Sequence, residues 1–128
     1  MPDVRQDRDP ALIAGGDRRL AEAIRAAQVR TQLQVDALTG AVRSIVEASE
    51  LTSADDEHDP EGATIAYERA QATALLRLAR ADLARLAHAA QEIETTATVS
   101  CVVCGGEIGV ERIEALPTAE RCIRCAGR

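Results

Sequence analysis

Residues 72–97 read ATALLRLARADLARLAHAAQEIETTA, and the apolar spacing within them decides the fold. Ala72, Leu76, Ala79, Leu83, Leu86, Ala90, Ile93 and Ala97 follow one another in alternating steps of four and three. This is a heptad seam, the pattern of a helix that lays one narrow stripe against a partner helix. Ile65 stands one heptad ahead of Ala72 on the same stripe. Upstream of it, Asp59-Pro60 is a helix start: Asp caps orphan N–H groups, and Pro suits the first helical position.

The partner stripe lies earlier in the chain. Leu20, Ile24, Ala27, Thr31, Val35, Leu38, Val42, Ile45 and Ser49 recur at steps of three or four, the period of an amphipathic helix. Asp17 is a good N-cap residue, and it opens a segment with no Pro and no Gly before Gly40. The reading is a helix from Asp17 to around Thr52, with Gly40 a soft spot costing about 1 kcal/mol against Ala. Residues 1–16 hold Pro2, Pro10 and the Gly15-Gly16 pair and read as an N-terminal tail. Between the helices lies TSADDEHDPEG at 52–62, a short polar turn. Two helices of similar length joined in this way make an antiparallel hairpin, an arm of about 50 Å at 1.5 Å per residue.

Composition supports a lean helical packing. Of 128 residues, 25 are Ala and 28 are Val, Ile or Leu, while Tyr67 is the only aromatic residue. Without Trp or Phe a wide core is hard to fill, so a large α/β enzyme fold is excluded. Fifteen basic residues, all Arg, against 21 acidic ones give a net charge of −6. Such a chain is a poor candidate for sequence-independent binding to nucleic acid, which depends on neutralising phosphates. No apolar run approaches the ~20 residues of a membrane span. The start, MPDVRQDRDP, lacks the apolar stretch of a secretory signal, so the default compartment is the cytoplasm.

From Val99 the texture changes. Cys101-Val-Val-Cys104-Gly-Gly is followed, after 17 intervening residues, by Cys122-Ile-Arg-Cys125-Ala-Gly. Each CxxC turn offers two thiolates on one side, and two such turns complete the tetrahedron that Zn²⁺ prefers. Gly after each pair lets backbone amides approach sulfur. A unit of about thirty residues cannot fold on apolar burial alone, and one structural Zn²⁺ held by Cys101, Cys104, Cys122 and Cys125 supplies the staple. Four thiolates leave no open position for water, which argues against a catalytic zinc. Ile108, Val110, Ile113, Leu116 and Ile123 read as the lining of this finger. Glu107, Glu111, Arg112 and Glu114 read as solvated, with room for one of them to dock on the hairpin base.

The fold class is therefore mainly α: a long antiparallel helical hairpin over 17–98, with a small four-cysteine zinc finger over 99–128. At the hairpin turn, 54–62, five carboxylates fall within seven residues: Asp55, Asp56, Glu57, Asp59 and Glu61. Like charges so close repel one another, and the cluster becomes useful where it meets a cation, either Mg²⁺ or a partner's basic side chains. His58 inside the cluster partly offsets the repulsion. His88 falls on the outer face of the second helix, and Tyr67 near its start is a packing or contact residue.

The run CVVCGGEIGVERIEALPTAERCIRC resembles the four-cysteine finger of the DksA/TraR family of bacterial transcription factors in its cysteine spacing, its EIG stretch, its RIEALP segment and its closing CxxC. The hairpin with an acidic turn resembles the coiled coil of that family. The resemblance implies a non-enzymatic partner of RNA polymerase that inserts the acidic turn into the secondary channel, near the active-site Mg²⁺. Such factors modulate initiation without contacting DNA sequence directly, in some members together with ppGpp. The expected state is a monomer, away from membranes. The family's turn pattern is DxxDxA, and here Asp56-x-x-Asp59-x-Glu61 puts Glu where Ala is expected. The sequence stops three residues after Cys125, so contacts made by the C-terminal helix of longer members are not expected.

Three alternatives come from other classes. A coiled-coil adaptor would use the finger as a protein dock, and the acidic turn argues against it. A zinc-ribbon nucleic-acid module would need a basic face, whereas residues 99–128 hold four Arg against four Glu. A helper lending carboxylates to a Mg²⁺-dependent reaction lacks an evident base or nucleophile.

Overall fold

The computed structural model describes residues 10–51 and 60–127. Two long helices account for most of them: α1, Pro10–Leu51, of 42 residues, and α2, Pro60–Thr96, of 37. A third, α3, covers Val110–Ala115. Among the described residues there is no strand, only an isolated antiparallel bridge between Ser100 and Glu107.

Helix α1 begins at Pro10, seven residues ahead of the start read from Asp17, and it runs through Gly15-Gly16. A start signal stands there in the sequence: Asp9-Pro10 repeats the Asp-Pro pair that opens α2. Two glycines weaken a helix by about 1 kcal/mol each, which does not suffice to break it. At the other end of the hairpin, α2 stops at Thr96, and Ala97 turns out of it with φ 63°. Its N–H still donates to the Ile93 carbonyl at 2.9 Å, closing the last turn in the left-handed conformation usual for helix ends. Ala97 is thus a terminator and not the last seam residue.

The chain forms two compact units. The first joins α1 as far as Gln28 to the chain from Ala84 onward; the second is Val29–Leu83. In the first, Leu20, Ile24 and Ala27 of α1 and Leu86 and Ala89 of α2 are buried in one core, with Ala90 and Ile93 packed against it. In the second, Val35 of α1 and Leu76 and Ala79 of α2 are buried, flanked by Leu38, Val42 and Leu83. Early α1 therefore meets late α2, the pairing of an antiparallel hairpin. Every seam position read from the sequence between Leu20 and Ser49, and between Ile65 and Ile93, is buried or half-buried. Leu86 belongs to the core with Leu20 and Ile24.

The finger does not stand apart from the hairpin base. Val99, Cys101, Ile108, Ile113, Ala119, Cys122 and Cys125 share the core of Leu20, Ile24 and Leu86. Composition marked a boundary near Val99 because the periodicity ends there, but packing continues across it. No described helix is long and apolar enough to cross a membrane.

Candidate metal centre

The finger is built from two turns and one short helix. In the first turn the Cys101 N–H donates to the Gly106 carbonyl at 2.7 Å, and the Gly105 N–H donates back to the Cys101 carbonyl at 2.9 Å. Gly105 sits at φ 70°, a conformation that disfavours any residue with a Cβ. At Gly106 a Cβ would lie 3.3 Å from the Cys104 sulfur. With none there, the Gly106 N–H approaches that sulfur at 3.4 Å. The expected role of the glycines after the first pair is thereby met; at Gly127 a Cβ would meet nothing. In the second turn the N–H groups of Cys125 and Ala126 both donate to the Cys122 carbonyl, at 3.0 and 2.9 Å. The Val102 N–H donates to the Glu120 carbonyl at 2.9 Å and ties the two turns together.

These turns bring four sulfurs into one cluster. Those of Cys101, Cys104, Cys122 and Cys125 all lie within 4.8 Å of one another, and none is in a disulfide. The Cys104 and Cys122 sulfurs are 3.7 Å apart. Zn–S bonds of about 2.3 Å at tetrahedral angles set sulfurs about 3.8 Å apart, so this edge has the length the ion requires. Cys101, Cys122 and Cys125 are buried, while Cys104 is exposed.

Their protonation points the same way. Hydrogen bonds from the backbone N–H groups of Cys104 and Cys122, with a smaller one from Val103, hold the Cys101 thiol down at about 6 against the opposing effect of burial. The Cys122 thiol is also lowered, chiefly by the Cys125 N–H. Cys125 is pushed up to about 12, first by its hydrogen bond with Cys122, then by burial and the remaining sulfurs. A cluster of thiolates cannot lose its last proton unaided, because each negative charge raises the cost of the next. A divalent cation removes that cost, and its binding displaces the remaining protons. Donor type, spacing and charge fit one structural Zn²⁺.

A model of the prokaryotic dksA/traR C4-type zinc finger matches residues 95–128. The C-terminal segment is a dksA/traR-type zinc finger. The resemblance read from the cysteine run is borne out over that segment, and with it one structural Zn²⁺. Around this dksA/traR finger the fold also has a solved counterpart. The structure of transcription factor DksA2 from Pseudomonas aeruginosa superposes with a TM-score of 0.72 over 95% of this chain and 89% of that one, at 22% identity. At that identity the likeness establishes a shared fold. The uncharacterized protein YteA of Bacillus subtilis (strain 168) is 43% identical over 67 residues, 52% of this chain. The match spans 28% of that relative's length.

The finger's lining differs in two places from the sequence reading. Ile108 and Ile113 are fully buried and Val110 is half-buried, but Leu116 is 48% and Ile123 81% exposed. Ile123 lies between two cysteines whose sulfurs take the inside of the turn, so its own side chain is left outside, like Val102 and Val103. Val99 and Ala119 occupy the lining instead.

Of the acidic side chains, Glu114 docks on the hairpin base through Arg19. Glu120 pairs with Arg85 of α2 at 3.3 Å, and both carboxylate oxygens of Glu92 accept from the Ser100 N–H at 3.3 Å. Arg112 Nε donates to the Arg121 carbonyl at 2.8 Å. Arg19, Arg85, Glu92 and Glu120 carry no periodic signal that would have marked them; only the folded contacts do. Asp55, Asp56, Glu57 and Asp59, with His58, lie outside the described residues. Glu61 is exposed in the first turn of α2, where a carboxylate suits the helix N-terminus. Tyr67 is 69% exposed and is not a core residue, and His88 is exposed as read.

Proposed function

We propose that the protein is a bacterial transcription factor that binds RNA polymerase and acts through the acidic connection between α1 and α2. The observation that carries this reading is the joining of a dksA/traR-type finger to a long helical hairpin in the fold of a solved transcription factor. Cys101, Cys104, Cys122 and Cys125 are the zinc ligands, and the finger with the hairpin base supplies docking to the polymerase. Asp55, Asp56, Glu57, Asp59 and Glu61 enter the secondary channel. There their charge acts on the active-site Mg²⁺ and nearby basic groups, changing the lifetime of initiation complexes. The net charge of −6 supports a partner with basic surfaces over direct contact with DNA. The reading assigns no residue of this chain a catalytic role. It takes the protein to be a cytoplasmic monomer, with ppGpp a candidate co-effector.

The test is binding of the full zinc-loaded chain to purified, nuclease-treated bacterial RNA polymerase. The reading predicts saturable binding at one copy per polymerase, abolished in Cys104→Ser. No binding by the wild-type chain would reject it in favour of an adaptor serving another protein.

A further inference from the structure

Three of the four clustered cysteines are members of the same buried core as side chains from both long helices. Cys101, Cys122 and Cys125 share it with Leu20, Ile24 and Ala27 of α1 and Leu86 and Ala89 of α2. Ile108 and Ile113, the fully buried residues of the finger, lie in that core too. The finger has little regular structure of its own: α3 is six residues long, and Ser100–Glu107 is an isolated bridge. Its order therefore comes from two sources, the metal and the hairpin base.

We infer that zinc binding and packing of the hairpin base are one coupled equilibrium. Residues far from the ligands in sequence, Leu20, Ile24 and Leu86, help to set zinc affinity, and zinc in turn orders those stretches of α1 and α2. Whatever a ligated finger contributes to the order of the base, the base contributes to the affinity of the finger for its metal. Polar contacts reinforce the core, since Arg19 pairs with Glu114, Arg85 with Glu120, and Glu92 with the Ser100 N–H. The second unit has a core of its own in Val35, Leu76 and Ala79, which contains no cysteine and stands outside the coupling.

The inference rests on the four-cysteine ligand set, and a wild-type zinc titration reads that first. A chain that took up no zinc would overturn both. Given one bound zinc, the full-length Ile24→Ala variant competed against a chromophoric chelator should lose roughly tenfold or more in zinc affinity. Val35→Ala should match wild type. Equal affinity in Ile24→Ala and wild type would overturn the coupling while leaving the ligand set intact. Amide exchange of the wild-type chain, with and without EDTA, needs no variant to fold. Chelation should strip protection from 20–27 and 86–93 together with the finger, while 35–42 and 76–83 keep theirs. Retained protection at 20–27 would overturn the inference, and so would loss along the whole hairpin.

Discussion

Arg19 of α1 grips Glu114 of α3 across 95 residues of sequence, with Nε donating to Oε1 at 2.8 Å and Nη2 to Oε2 at 2.6 Å. This is the fork geometry in which guanidinium and carboxylate meet most strongly. It is also half in water, with side chains 52% and 37% exposed, so solvent and salt screen it. Its value lies in orientation, because it fixes the helix of the finger to one helix of the hairpin.

The pair makes stability depend on pH. The hydrogen bond from Arg19 holds the Glu114 carboxyl below its ordinary value of 4.5. A carboxyl lowered by folding contributes stability that is fully present above the unfolded value and lost as pH falls through the folded one. Melting curves of wild type and Glu114→Gln should therefore differ at pH 7 in low salt and converge as the medium is acidified below 4.5. The double variant Arg19→Glu with Glu114→Arg should recover part of the loss.

The seam offers a larger effect. Leu76 is 6% exposed against Val35 and Ala79, so Leu76→Asp puts an unpaired charge in a dry site and should cost several kcal/mol. Leu78 is 63% exposed on the same helix, and Leu78→Asp should be nearly neutral. Urea denaturation followed by helical circular dichroism separates the two.

Ala97 is a residue with a Cβ held at φ 63°. Relieving that conformation in Ala97→Gly should exceed the added chain entropy and stabilise the protein by about 0.5–1 kcal/mol. A rise in the urea midpoint at saturating zinc checks it; a fall would mean that the Ala methyl packs usefully at the helix end.

Much of this architecture is legible in the sequence, for identifiable reasons. Strict steps of four and three from Ala72 to Ile93 mark α2, because a helix facing one partner must repeat its apolar stripe at that period. The cysteines are as clear, since two CxxC turns have few uses apart from a shared metal. Gly15-Gly16 obscures the start of α1, because paired glycines carry a propensity penalty and read as tail, although the helix runs through them from Pro10. Ala89 lies off the heptad stripe, yet it is buried because the finger covers it, which no periodicity within α2 reveals. Ile123 misled in the other direction: an apolar residue between two ligands reads as lining, but the sulfurs take the inside. Arg19 and Glu114 are paired by tertiary geometry alone.

The account turns on charge in the connection between the helices. Asp56 and Asp59 replaced together by Asn keep size and hydrogen bonding, and Asn caps a helix nearly as well as Asp, so the fold should survive. The decisive measurement is open-complex lifetime on a responsive promoter with purified polymerase, comparing wild type with this double variant at equal occupancy. The account predicts that the variant still binds polymerase, only modestly weakened, while its effect on lifetime disappears. A variant that shifted the lifetime as strongly as wild type would contradict the account and leave those carboxylates as a solubilising turn.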